Sequence, residues 1–376
     1  PSKVGQVMVS TPDRHLICFG SNPVGSSDYD RMTVRFCNQE DFQTWTPQLV
    51  NTAGEQRLGT GTNIEAAEKG RGQIFLWTDV DVYSMQFIGP PFTFSFSVLG
   101  EISGTISKNA ATTIEGASFW MGVDNFYMYD GAVRTLECPV LTHVFNDFNQ
   151  VQREKVFCGQ NIKFNELWWF YPSAGSIDVD KYVIYNYIDK TWSIGDLGRT
   201  AWADSAVFGN PHALEYDADG VEPATSSTYV QGNTDGISTY YQHETGTDQV
   251  KGGTVTAITA NILSGDFDIT QRLQRGATTG SADIRGDGEF IMKIRRFVPD
   301  FISQTGNTRV TLNLKNYSND TAASSSLGPF DVSSSTTKVD TRARARAIAL
   351  KIENTSTAQD WKLGTFKLDI QPDGRR

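Results

Sequence analysis

Hydrophobic and polar positions alternate along this chain in short runs of period two, and one such run is repeated. Ile74-Phe75-Leu76-Trp77-Thr78-Asp79-Val80-Asp81-Val82-Tyr83 shares its plan with Ser118-Phe119-Trp120-Met121-Gly122-Val123-Asp124-Asn125-Phe126-Tyr127, 44 residues later. In both, an aromatic-rich strand enters an Asp-containing turn and a second strand opens with an aromatic, which predicts a β-hairpin. A looser third copy begins at Glu166-Leu167-Trp168-Trp169-Phe170-Tyr171, and Trp120 to Trp168 spans 48 residues. Four-stranded propeller blades repeat on the order of every 40 to 50 residues, so the pattern predicts a β-propeller.

Neighbouring segments fit that rhythm. His15 to Gly20 reads as a buried strand, Arg31 to Cys37 as its alternating partner, and Asp41 to Thr46 as the close of the unit. Lys181 to Tyr187, a turn at Ile188-Asp189-Lys190, and Thr191-Trp192-Ser193 echo that ending, so Trp45 and Trp192 are expected as wedges between blades. After Pro139, the spacing of Leu141, Val144, Phe145 and Phe148 predicts one short helix near 140–150. Between 195 and 253 the pattern thins into turn-rich stretches, and a new alternating strand starts after Gly252-Gly253.

The resulting expectation is an all-β chain: a β-propeller over 1–252, followed by a smaller β-sandwich-like domain over 253–376. Strands of the second domain are expected at 288–297, 308–315, 343–352 and 365–370, with a Ser/Thr-rich loop or hairpin tip at 324–337. Strand-like alternation from Val4 to Val9, directly after Pro1, reads as a propeller incomplete at its N-terminus.

Composition agrees with many short strands joined by turns: 34 Gly and 13 Pro, with eight Trp, 13 Tyr and 22 Phe to fill pleated interiors. Cys18, Cys37, Cys138 and Cys158 are too sparse for a disulfide framework and lack C-x-x-C spacing, so reduced, buried thiols are expected. No apolar run reaches the ~18 residues of a membrane-spanning segment.

Charge is divided unevenly. Residues 1–287 carry 19 Lys+Arg against 34 Asp+Glu, a balance of −15, whereas 288–376 carry 14 against 9, a balance of +5. The acidic larger part argues against a nucleic-acid reader, which shows a basic footprint. Within the basic part, Thr341-Arg342-Ala343-Arg344-Ala345-Arg346-Ala347 alternates strictly, so as one strand it would set three guanidinium groups on one face. Such a stripe serves as a solvated edge strand, as a subunit interface with an acidic partner, or as a phosphate track. Arg295, Arg296, Arg375 and Arg376 could extend it.

Catalytic and metal motifs fail on inspection. His243-Glu244 opens like a metalloprotease helix, but Thr247 stands where the second His is needed. Asp217-Ala218-Asp219-Gly220 lacks the remaining ligands of a calcium loop and reads as a hairpin turn. No P-loop, dinucleotide fingerprint or nucleophile elbow occurs, so no cofactor, metal or catalytic residue is expected.

The stretches Ser118 to Gly131 and Phe164 to Pro172, with Asp13-Arg14-His15, Trp45-Thr46-Pro47, Trp361 to Thr365 and Gln371 to Arg376, resemble the tail hub or nozzle proteins of tailed bacteriophages. Members of that family are often labelled packaged-DNA stabilisation proteins. The resemblance implies a non-catalytic virion protein, a hexameric ring of subunits below portal and adaptor proteins, with tail fibres or spikes as further partners. Double-stranded DNA would pass through its lumen without sequence-specific binding. Arg342, Arg344, Arg346, Arg295 and Arg296 are then the candidate subunit interface. The competing reading is a receptor- or carbohydrate-binding propeller of a phage tail, and the tryptophans discriminate: exposed on one face they favour sugar stacking, interior they favour a scaffold.

Overall fold

Antiparallel meanders build the first of two compact units, Pro1–Glu244 and Thr245–Arg376. The computed structural model describes residues 1–10, 13–205, 209–217, 237–251, 253–269, 290–317 and 325–375. The first blade is β1 (Val4–Ser10), β2 (His15–Ser21), β3 (Asp30–Phe36) and β4 (Gly54–Arg57). The second is β5 (Ile64–Lys69), β6 (Ile74–Thr78), β7 (Val82–Gly89) and β8 (Thr93–Gly100). The third is β9 (Ala111–Ile114), β10 (Ala117–Met121), β11 (Phe126–Tyr129) and β12 (Val133–Thr135). Then α1 (Leu141–Asn146), the short helix expected from its apolar spacing, precedes the fourth blade. That blade is β13 (Phe157–Asn161), β14 (Glu166–Tyr171), β15 (Lys181–Asn186) and β16 (Thr191–Asp196). A further sheet contains β17 (Ala201–Ala203), β18 (His212–Asp217) and β19 (Ile237–Gln242).

Period-two alternation in the second strand of each blade dictates how the blades stack. In β6, Ile74 and Leu76 join Ile17, Phe19, Met32 and Val34 of the first blade, while Phe75 and Trp77 turn the other way to meet Trp120. In β10, Trp120 faces back to the second blade, and Phe119 and Met121 face the fourth. In β14, Leu167, Trp169 and Tyr171 face the third blade, and Trp168 and Phe170 stack on Trp202 of β17. Sheets buried on both faces between consecutive neighbours are the packing of propeller blades. The 44-residue repeat pairs Trp77 with Met121 and Leu76 with Trp120, so the two indoles point to opposite sides of their own sheets and meet in one layer, centroids 5.7 Å apart.

The first strands β5, β9, β13 and β17 lie side by side. Side chains tie their free edges together. The Gln6 amide donates to the Ala67 carbonyl at 3.0 Å and accepts from the Ala67 N–H at 3.1 Å, mimicking a ladder bond between β1 and β5. Gln160 Nε2 donates to Thr112 Oγ1 and to the Thr113 carbonyl, linking β13 to β9. Such bonds satisfy backbone groups that a strand edge otherwise leaves open.

The second unit begins with the hairpin β20 (Asp248–Lys251) and β21 (Thr254–Ala257). These two strands flank the boundary expected at 252/253, because the division between the units falls at Glu244/Thr245 instead. One sheet runs β22 (Ala260–Leu263), β28 (Ala347–Asn354), β25 (Thr308–Lys315), β26 (Ser325–Val332). The other runs β27 (Val339–Ala345), β23 (Phe290–Val298), β30 (Lys367–Arg375), and β24 (Phe301–Thr305) pairs with β29 (Asp360–Leu363). Met292, Ile294, Ala343 and Ala345 of one sheet share a core with Leu312, Leu314 and Ile348 of the other, a sandwich.

Three sequence expectations are corrected. The strand expected at 343–352 is two strands in different sheets, with Arg346 at the corner between β27 and β28. The stretch expected as loop or hairpin tip at 324–337 contains β26, because Leu327 and Phe330 supply apolar contacts to the sandwich. Asp41 to Thr46 forms no regular strand, and Gly54–Arg57 closes the first blade, so Trp45 is not the counterpart of Trp192. The turn expected at Asp217-Ala218-Asp219-Gly220 lies outside the described residues beyond Asp217.

Candidate functional site

Alternation in β27 buries Thr341, Ala343 and Ala345 and exposes Arg342 and Arg344, as the sequence predicts. Arg346 does not share that face; the chain leaves the strand at Ala345, and its backbone N–H donates to the Lys315 carbonyl in the facing sheet at 3.1 Å. On the adjacent β23 the register shifts between Ile294 and Arg296, which leaves Arg295 exposed and Arg296 half-buried, both outside the core. β27 is an edge strand of its sheet.

The candidate arginines divide by partner. Arg344 donates through Nε to Asp373 Oδ2 at 2.5 Å, and Arg296 Nε lies 3.4 Å from Asp369. These two are answered within the chain, so part of the expected counter-surface is internal. Arg342 and Arg295, with Lys293 opposite Arg344 on the same pair of strands, have no acidic partner among the described residues. The side chains of Arg375 and Arg376 lie outside the described residues.

None of the eight tryptophans is exposed, and Trp77, Trp120 and Trp169 are fully buried. Several act as staples between neighbouring sheets through the indole N–H. Trp169 donates to the Ala110 carbonyl at 2.9 Å, Trp192 to Glu137 at 2.9 Å, and Trp202 to Gln160 at 2.7 Å. Trp120 donates to the Ser103 carbonyl in the segment before its own blade, at 2.7 Å. The Trp202 ring lies flat where Gly159 leaves room: a Cβ there would come within 2.7 Å of it. Trp192 is thus a wedge between the third and fourth blades, whereas Trp45 donates to the nearby Phe42 carbonyl in a loop.

Two titrating groups sit within this frame: Glu68, which no sequence motif marks, and His243, which stands at the start of the failed metalloprotease pattern. Glu68 of β5 accepts from Thr113 Oγ1 of β9 at 3.1 Å, and burial pushes its pKa up to about 7. Cys158 of β13, raised well above the ordinary thiol range by burial and then by the Glu68 charge, is its neighbour. In the last sheet of the unit, Arg199 is 3% exposed, stacks on Tyr241 at 3.9 Å and donates from Nε to His243 Nε2 at 3.1 Å. Burial, then the Arg199 charge, pushes the His243 pKa down to about 4, so the imidazole is neutral and its Nε2 accepts from Arg199. The only hint in sequence was hydrophobic alternation around these positions, which says that they are enclosed but not by what.

All four cysteines are free; Cys18 and Cys37 are buried, and Cys138 and Cys158 are half-buried. Among the described residues no group of three or more His, Cys, Asp or Glu side chains is placed to hold a metal ion. No described helix is long and apolar enough to cross a membrane.

No protein-family model and no curated protein matches the sequence. Solved structures similar to the chain include the N-terminal domain of Nup159, 6% identical with a TM-score of 0.32, over 69% of this chain and 67% of that one. A glycoside hydrolase is 10% identical with a TM-score of 0.26, covering 96% of each chain. A glycoside hydrolase family 43 arabinoxylan arabinofuranohydrolase from Bacillus subtilis is 10% identical with a TM-score of 0.26, over 98% of this chain and 95% of that one. Likenesses this distant carry no argument about activity; the blades themselves define the class, an all-β chain with propeller-type four-stranded sheets.

Proposed function

We propose that this chain is a structural subunit of a bacteriophage tail, a hub or nozzle protein whose ring lines the passage that retains and releases genomic DNA. The observation that carries the reading is the placement of the tryptophans. None is exposed, three are fully buried and several staple one sheet to the next, so they form no open aromatic platform for sugar rings. A wall meant to endure load is stiffened by such cross-links, since each indole combines buried area with a directed hydrogen bond.

Electrostatics gives the passage its sense. A lumen rich in carboxylates repels phosphates and avoids the cation contacts through which DNA is otherwise held. The balance of −15 over 1–287 supplies such a surface, and the +5 over 288–376 supplies a complementary patch for head-to-tail assembly. Arg342 and Arg295, without an acidic partner among the described residues, are assigned to that contact.

Mass measurement in solution with negative-stain images of the same sample tests the proposal. A closed ring with a central opening wide enough for duplex DNA is the expected result. A monomer at all concentrations that binds defined glycans on an array would replace the scaffold reading with the receptor-binding one.

A further inference from the structure

The hairpin joining β13 to β14 brings together three oxygen-bearing side chains that the proposed scaffold role does not use. Asn161, the last residue of β13, and Glu166, the first of β14, are direct cross-strand partners. Paired residues project from the same face of a sheet, so both lie on the side where Trp168 and Gly159 meet Trp202. Asn165 takes a left-handed conformation, φ 60°, which closes the short connection and fixes the pair.

Asn161 is 0% exposed. Its Nδ2 donates to Glu244 Oε1 at 3.1 Å, which sets the orientation of the amide, because a flipped amide would oppose oxygen to carboxylate. The other end, Oδ1, is then a buried acceptor with no partner. Glu166 spends one oxygen on the Trp168 indole N–H, at 3.0 Å, which leaves the other to face a ligand. No Lys or Arg forms an ion pair with Glu166 or Glu244 among the described residues; Lys163, on the connection itself, sits over the Phe164 ring instead.

We infer that Asn161, Glu166 and Glu244 form a binding site for a hard divalent cation of the calcium type. An amide carbonyl and two carboxylates are the oxygen donors that calcium accepts in flexible geometry, and the absence of His or Cys from the set disfavours zinc. Two charges rather than three give modest affinity, in the range of ~0.1 to 1 mM, with water completing the shell. The cation would bind the buried amide oxygen, offset the repulsion between the carboxylates, and fasten the end of the first unit at Glu244 to the fourth blade.

Terbium provides the test, since it replaces calcium at oxygen sites and Trp168 stands within hydrogen-bonding distance of a ligand. With the full chain, terbium emission excited through tryptophan is expected, displaced by calcium chloride. Glu244→Gln and Glu166→Gln should each weaken displacement at least tenfold, whereas Trp168→Phe should dim the emission and keep the calcium-induced rise in melting temperature. Glu244 is exposed, so E244Q alone decides if E166Q fails to fold. Absence of both sensitised emission and a melting shift at about 5 mM calcium overturns the site. A calcium response that persists unchanged in E244Q overturns it equally, by placing the cation elsewhere.

Discussion

Replacing Glu68 with Gln should stabilise the first unit at pH 8 and do so far less at pH 5. The carboxyl has a pKa of about 7 in the folded chain against an ordinary 4.5, chiefly because burial between β5 and β9 disfavours its charge. For an acid whose folded pKa is raised, the native state binds more protons than the unfolded chain between those two values, so stability falls as pH rises through 4.5 to 7. At ~1.4 kcal/mol per pH unit, the full cost above the window is about 3 kcal/mol, and solvent reaching the half-exposed side chain reduces it to about 1–2 kcal/mol. Gln retains an oxygen for the Thr113 hydroxyl and never ionises. Urea unfolding followed by tryptophan fluorescence reads the first unit, which holds every Trp except Trp361. A gain from Glu68→Gln that is the same at pH 5 and pH 8, or a loss at pH 8, would refute the burial argument.

His243 titrates in the opposite sense. Its folded pKa of about 4 lies below the ordinary 6.5, so stability is lost as pH falls through that window, and His243→Gln, still an acceptor for Arg199, should abolish the loss in a pH series of melting curves. Trp169→Phe should cost about 2–3 kcal/mol in urea unfolding, since it removes buried volume and the indole bond to the Ala110 carbonyl, which is left with the Met121 N–H alone. Gly159→Ala should cost about 1–3 kcal/mol by displacing the Trp202 ring, and the double variant with Trp202→Ala should cost less than the sum of the two single losses. On the proposed ring assembly, Ser at Arg342 and Arg295 should shift the protein toward smaller species in sedimentation at low salt, while replacing Arg344, already paired to Asp373, with Ser should shift it less.

The blades were legible because a strand buried on both faces must send alternate side chains to two different neighbours, and aromatic residues record that demand. Ile74-Phe75-Leu76-Trp77 does so over four positions, and its repeat at Ser118 to Met121 gave the period. Thr44-Trp45 misled because a Thr-Trp pair after a polar turn fits a wedge and a loop equally well; what separates them is whether a carbonyl of the neighbouring blade stands opposite, as Glu137 does for Trp192. The Arg342 to Arg346 run was read correctly as a strand through Ala345 and wrongly beyond it. Period two continues through a corner where the chain changes sheets, so alternation alone cannot mark the point at which Arg346 leaves the stripe.

The opposed titrations of Glu68 and His243 have a joint consequence. Between pH 4.5 and 6.5 the windows overlap, the carboxyl weakening the fold as pH rises and the imidazole strengthening it. Their slopes have opposite sign and similar size, so the two contributions nearly cancel there, and the cancellation hides both groups in the intact chain. Removing one partner exposes the other: Glu68→Gln should gain stability with rising pH across this interval, and His243→Gln should lose it. If both variants stay as flat as the parent, neither group is enclosed as the structure has it. If Glu68→Gln differs from the parent and His243→Gln does not, Glu68 alone is enclosed and the contact of Arg199 with His243 is absent in solution.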